Sequence, residues 1–214
     1  DKYQKKNNTS KSLFYERVDA SNLKSLKKII NKIVSKYGCP DGFINCSYPK
    51  TKDWPKNNYK QIKLNSFLKN VEIHMAGQIW IAKIIADHMS KRKQGSIVQF
   101  GSIYGSLAQD DKLYLGTNIK ESMSYTSIKG GILNSVKSMA SYYGKNNLRV
   151  NSISPGGVKD NQNKKFIRRY EKRTPMRRMA NPDDIVGAVI FLISDASSYV
   201  TGLDLKVDGG WSII

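Results

Sequence analysis

Six residues, Ser124-Tyr125-Thr126-Ser127-Ile128-Lys129, hold the chain's most chemically suggestive spacing. Tyr125 and Lys129 stand four apart, which puts them on one face of a helix. A free tyrosine titrates near ~10. A cation a few ångströms away favours the phenolate and draws that value down. Tyr125 could then exchange a proton with an alcohol or a carbonyl near neutral pH. Ser102, at the end of an apolar run, could hydrogen-bond the same oxygen. An ordinary amphipathic helix presents the same pair, so position must supply the weight. The pair follows a run ending in Gly101-Ser102-Ile103-Tyr104-Gly105 and precedes one ending in Pro155-Gly156-Gly157.

Those groups need elements to hold them. Short apolar runs at residues 13–18, 42–47, 95–101, 148–154 and 203–208 read as five strands. Between them lie helical periods. Leu23, Leu26, Ile29, Ile30, Ile33 and Val34 recur at helical spacing, ended by Gly38 and Pro40. A long helix is expected from about residue 65 to 88, and a second from 124 to 143. Asn181-Pro182-Asp183-Asp184 starts another, with proline early and acids in the first turn. Residues 159–178 are charged and read as a flexible lid. Strands separated by helices give a parallel α/β sheet covered on both faces. Ligands of such sheets bind beyond the carboxyl ends of the strands. The loops at Asn45-Cys46-Ser47-Tyr48, at Gly101–Gly105 and at Pro155–Gly157 therefore converge on one crevice.

Composition narrows the class. The 214 residues are 39% hydrophobic, enough for a sizeable core. No apolar run approaches the ~18 residues of a membrane span, and no signal peptide is evident at the start. Two cysteines, Cys39 and Cys46, exclude a disulfide scaffold and a four-thiolate zinc site. They fit a reduced, cytoplasmic protein with no metal centre and no membrane partner. Lys+Arg number 36 against 17 Asp+Glu, a net charge of +19. That balance raises nucleic-acid binding, but the positive residues are scattered and no recognition motif accompanies them. They read as solvated faces, without a nucleic-acid partner. What field remains would steer an anionic small molecule.

From Asp19 to Trp211 the chain resembles the short-chain dehydrogenase/reductase family. The likeness rests on Val18-Asp19, Phe43-Ile44-Asn45, Ser102, Tyr125 with Lys129, Val150-Asn151-Ser152-Ile153-Ser154-Pro155-Gly156, and Val207-Asp208-Gly209-Gly210. The resemblance implies a Rossmann-like doubly wound parallel sheet, with hydride transfer between NAD or NADP and a carbonyl or alcohol. It makes Tyr125 the proton donor or acceptor. Lys129 lowers the tyrosine's pKa and binds the nicotinamide ribose, and Ser102 orients the carbonyl. Asp19 would meet the adenine and Asn45 the cofactor side of its strand end. Pro155, Gly156 and Val158 would line the nicotinamide. His74 stands where the family has a relay asparagine, and Asp160 where it has a threonine.

Asn45-Cys46-Ser47-Tyr48-Pro49, Gly101–Gly105 and a long insert before Tyr125 resemble a narrower group, the oxidoreductases of flagellin modification and nonulosonic-acid pathways. That likeness implies a sugar substrate met by Tyr48, Tyr104, Asn161 and Gln162. A general carbonyl or 3-oxoacyl reductase competes with it, as does a non-catalytic dinucleotide-binding sensor or scaffold. In the family, helices equivalent to residues 71–89 and 125–143 build a homotetramer, and both look too apolar here for a solvent face. The family's first βαβ unit and its Gly-rich phosphate loop have no counterpart in this chain. Residues 1–214 are thus expected to be a single dinucleotide-binding domain lacking that unit, from a polypeptide extending before Asp1.

Overall fold

The computed structural model describes residues 13–214. Helix α1 (Leu23–Tyr37) leads to strand β1 (Gly42–Asn45). A strap without strands then reaches α2 (Leu64–Asn70), which runs through a π-helical turn, Val71–Ala76, into α3 (Gly77–Arg92). Strand β2 (Gly95–Phe100), α4 (Met123–Tyr143) and β3 (Leu148–Pro155) follow. Helices α5 (Lys164–Arg173) and α6 (Asp183–Ile193) precede β4 (Asp204–Val207). The strands form one parallel sheet in the order β1-β2-β3-β4.

Strand side chains alternate between faces, and the core follows that alternation. Ile97 and Val150 join α1, α3 and α4 in one cluster around Leu26, Ile81, Val136 and Tyr143. Val98 and Ile153 join Ile185 and Leu192 of α6 in another on the opposite face. Both faces of the sheet are covered, as the near-continuous apolar runs require.

Residues 13–18, expected as a strand, are not one. Among the described residues no strand lies beside them to complete their hydrogen bonds, and an apolar run alone does not make a ladder. Their side chains turn to α1 instead. Phe14 packs on Tyr37 with ring centroids 5.1 Å apart, and Glu16 pairs with Lys36 at 2.8 Å. Among the described residues the sheet therefore has four strands, and β1 is paired there on one side only, with Ile44 41% exposed.

Three further expectations change. The long helix at 65–88 is interrupted at the π-helical turn, a device found often at functional sites. The lid at 159–178 contains α5, whose Phe166 and Tyr170 are buried in a third cluster with Ile103, Leu113 and Trp211. The apolar residues of α4 point inward, and its exposed positions are mostly polar, among them Asn134, Lys137 and Ser138.

Candidate active site

The carboxyl ends of β1, β2 and β3 open into a cleft of about 590 Å³. Cys46 and Ser47 follow β1, Gly101 and Ser102 follow β2, and Pro155 to Val158 end β3; all line it. α4 brings Tyr125 and Lys129 to the same cleft. Its start is set by Ser122, whose hydroxyl accepts the Tyr125 amide at 3.2 Å, an N-cap. Gly105 lets the Ser102 loop lie directly on α4. A Cβ there would come within 2.9 Å of the Lys129 backbone.

Each member of the trio has a defined setting. Ser102 is buried, and its Oγ accepts the Tyr104 amide at 3.2 Å. Lys129 is 3% exposed, and its Nζ donates to the Phe100 carbonyl at 2.8 Å. Burial pushes its pKa down to about 8, with Cys46 opposing. Tyr125 stands edge-on to Tyr48 and Trp54, with ring centroids 6.3 and 6.4 Å away. Burial raises its phenol, the Ser102 hydroxyl draws it back down, and nearby Tyr114 raises it further. Lys129 was expected to lower that phenol. Its ammonium sits 5.8 Å from the ring centroid, bonded to a carbonyl, and burial dominates instead.

Tyr48, Tyr104 and Gln162 also line the cleft, as expected of a substrate-facing set, together with Pro155, Gly156 and Val158. Asn161 does not; it is exposed beside the cleft, while Gln162 folds onto the Val158 carbonyl at 2.8 Å. Asp19 lies away from it, its carboxylate taken by the Ser21 amide and hydroxyl at 2.9 and 2.6 Å ahead of α1. Asn45 is buried under the rim. Its Nδ2 donates to the Gln78 carbonyl at 3.2 Å and its Oδ1 accepts from Ser47. His74 is fully buried behind Tyr48, 4.7 Å away centroid to centroid, and neither ring nitrogen has a hydrogen-bond partner. Burial and then the Lys129 charge push it down to about 3, so it is neutral.

The far wall was not legible from local spacing. Gln109, Tyr114 and Ile119 come from the insert, and Phe166, Tyr170 and Met179 from α5 and beyond. Only the (i, i+4) pair Phe166 and Tyr170 carried a signal, as the apolar stripe of a charged helix. Two ties hold the wall. Arg173 pairs with Asp110 at 2.5 Å, and Arg169 donates to the carbonyls of Leu113 and Leu115.

The protein-family model described as Enoyl-(Acyl carrier protein) reductase matches residues 2–212. A Campylobacter coli protein named post-translational flagellin modification protein A is 34% identical over 97% of this chain and 81% of its own length. The chain is also similar to a short-chain dehydrogenase from Leptospira borgpetersenii solved with bound NAD+. That pair shares 32% identity and a TM-score of 0.83, over 94% of this chain and 79% of the other.

The chain belongs to the short-chain dehydrogenase/reductase family. A more distant relative, an NADP-dependent mannitol dehydrogenase of Hypocrea jecorina, is 28% identical over 92% of the chain and 70% of its own length. This short-chain dehydrogenase/reductase is thus an oxidoreductase acting on an alcohol or carbonyl with NAD or NADP. The residues present fit the nicotinamide end of that cofactor. An ammonium has three donors, and Lys129 commits one of them to Phe100, leaving two for the hydroxyls of a ribose. Among the described residues no Gly-rich strand-to-helix turn is present to cradle the phosphates. No helix among them is long and apolar enough to cross a membrane.

Proposed function

We propose that this enzyme interconverts a carbonyl and an alcohol on a sugar intermediate of flagellin or other surface glycans, of nonulosonic-acid type. The observation that carries the reading is the far wall of the cleft. Tyr104, Gln109, Tyr114 and Gln162 offer hydroxyl and amide groups there, set among aromatic faces. Tyr114 and Phe166 stack 5.7 Å apart. The Tyr104 hydroxyl is buried beside that of Tyr114. A sugar can stack on such aromatic faces and share hydrogen bonds with groups already tied into the wall, Gln109 to Tyr114 and Ser122 and Gln162 to Val158 and Asp160. The flagellin-modification relative supports the pathway, and the mannitol dehydrogenase supports a polyhydroxylated substrate.

In this reading Ser102 and Tyr125 both reach the reacting oxygen. Tyr125 gives it a proton during reduction and takes one during oxidation. Its raised pKa keeps the phenol protonated at neutral pH, which suits the acid role. Lys129 holds the ribose and keeps the cofactor's reactive face toward the substrate. The nicotinamide, when bound, supplies or accepts the hydride. His74 lies one layer behind this trio, neutral and without a hydrogen bond to any of its members. We place the enzyme in the cytoplasm, as a homotetramer whose contact faces include Trp80 of α3 and the polar outer side of α4.

The reading is tested by nicotinamide fluorescence with NADH and NADPH, followed by a panel of free and nucleotide-activated keto sugars beside medium-chain acyl ketones. Turnover of a keto sugar above every acyl ketone is expected. A 3-oxoacyl reductase is the competing reading, favoured by Ile119, Phe166 and Met179 in the same wall. The opposite rank order would establish it.

A further inference from the structure

The strap joining β1 to α2 covers Tyr125 with Tyr48 and Trp54, yet its only regular piece is a single turn, Trp54–Lys56. One residue in it is nevertheless 1% exposed. Asn57 bonds to three separate parts of the molecule through its backbone and side chain. Its carbonyl accepts the amide of Met123, the first residue of α4, at 3.0 Å. Its Oδ1 accepts from the Ser124 hydroxyl at 2.5 Å and from Asn70 Nδ2 at 3.3 Å. Its Nδ2 donates to Ser66 Oγ at 3.0 Å and to the Asp53 carbonyl at 3.2 Å.

The partners form a closed set. Ser66 donates to the Asp53 carboxylate at 2.9 Å, and Thr51 does so at 2.6 Å. Asn70, the last residue of α2, accepts the Thr51 amide at 3.0 Å and abuts the π-helical turn that carries His74. Asn57, Asn70 and Ser124 are all buried. A loop that merely joined two elements would leave its polar groups in water. This one spends buried amides on the first turn of the catalytic helix.

The first four amides of a helix have no partner within it. Counting from the N-cap, three of them are taken at α4, Ser122 by Gln109, Met123 by Asn57 and Tyr125 by Ser122. Ser124, held through its side chain, lies between the last two. We propose that Asn57 is a positioning residue for the reaction, fixing the first turn of α4 so that the Tyr125 hydroxyl meets Ser102 and the substrate oxygen. It touches neither substrate nor cofactor and acts through Ser124 and the Met123 amide. The assignment rests on Tyr125 as proton donor. A displacement of about 1 Å at such a group can cost 10²-fold in rate.

The test compares Asn57→Ala, Ser124→Ala, the double variant and Tyr125→Phe with the native enzyme, on whichever carbonyl substrate it turns over. Asn57→Ala and Ser124→Ala should each lower kcat by about tenfold or more, and the double variant no further than Asn57→Ala, because the Ser124 hydroxyl bond is already lost there. Dinucleotide affinity should stay within about twofold, since Lys129 keeps its bond to Phe100. The pH profile of alcohol oxidation should move alkaline, as a phenol drawn away from the Ser102 hydroxyl ionises less readily. Should Asn57→Ala fail to fold, Ser124→Ala, which leaves the rest of the set intact, carries the same test. An unchanged kcat and pH profile in Ser124→Ala, with only the melting temperature lowered, would overturn the proposal while a dead Tyr125→Phe left the mechanism standing. An active Tyr125→Phe would overturn both.

Discussion

Lys129 and His74 are two basic side chains buried within one layer of each other, yet at neutral pH one is a cation and the other is uncharged. Lys129 reaches a backbone carbonyl at the end of β2, and burial brings it down only to about 8. His74 reaches nothing that accepts or donates, and burial takes it to about 3. The same contrast separates the neighbourhoods of the two residues. Around Lys129 the side chains bond to main chain, Lys129 to the Phe100 carbonyl, Ser102 to the Tyr104 amide and Ser122 to the Tyr125 amide. Gln78, four residues beyond His74, also leaves its Oε1 without a partner, although its Nε2 donates to the Ser47 carbonyl. A buried charge survives where the backbone meets it, and elsewhere the neutral form takes over. The cleft wall therefore carries a cation at Lys129, while His74 behind it is neutral.

Four measurements break or sharpen that contrast. The largest effect is expected on the cationic side. Tyr125→Phe should lower kcat by about 10²–10⁴-fold, the usual worth of a general acid, with dinucleotide affinity kept. Steady-state rates and nicotinamide fluorescence on one preparation check both halves.

Lys129→Met should lose about 10²-fold in kcat/KM and weaken dinucleotide binding as well, because the ribose loses its donors. In the native enzyme affinity should fall as pH rises through about 8, where the ammonium deprotonates. Dissociation constants measured from pH 6.5 to 9.5 should show that slope flattened in the variant.

On the neutral side the cost falls on stability. The folded pKa of His74 lies below its unfolded value, so between about 6.5 and 3 the unfolded chain binds the extra proton. Stability from this residue is present above pH 6.5 and is lost as pH falls. From pH 7 to 4.5 the loss should be about 2 kcal/mol. His74→Asn should remove that part of the acid slope in melting curves taken across the range. An identical slope in both proteins would assign the acid sensitivity to other groups.

The smallest effect is expected at the far wall. Tyr104→Phe removes one hydroxyl without changing the ring. A keto-sugar KM should rise up to about tenfold, the worth of a single hydrogen bond of ~1 kcal/mol. An acyl ketone should be unaffected, and equal effects on both would show that the hydroxyl does not meet the substrate.

The site was legible in proportion to how local its geometry is. Tyr125 and Lys129 share a helix face by spacing alone. Ser102 and the Pro155–Val158 segment follow from where parallel strands end. Asp19 and Asn161 fit the family pattern by position, yet one is bound to Ser21 and the other lies outside the cleft. Position along the chain does not say which way a loop residue turns. The run at residues 13–18 has the composition of a strand, but a strand also needs a neighbour. The charged stretch after Gly157 reads as mobile until Phe166 and Tyr170 are seen to be buried against the insert.

By itself the amino-acid sequence determined the α/β alternation, the parallel pairing and the shared helix face of Tyr125 and Lys129. Each of these depends on periodicity within a few residues, or on the side of a strand from which a loop leaves. Tertiary structure decided which of those groups is charged, which polar atoms find partners, and how the first turn of α4 is held. Asn57 meets Ser124 across 67 positions of chain, and Lys129 meets the Phe100 carbonyl across 29. Contacts of that separation carry no local period. They exist only once the core has packed, and burial sets the protonation of Lys129 and His74 only then.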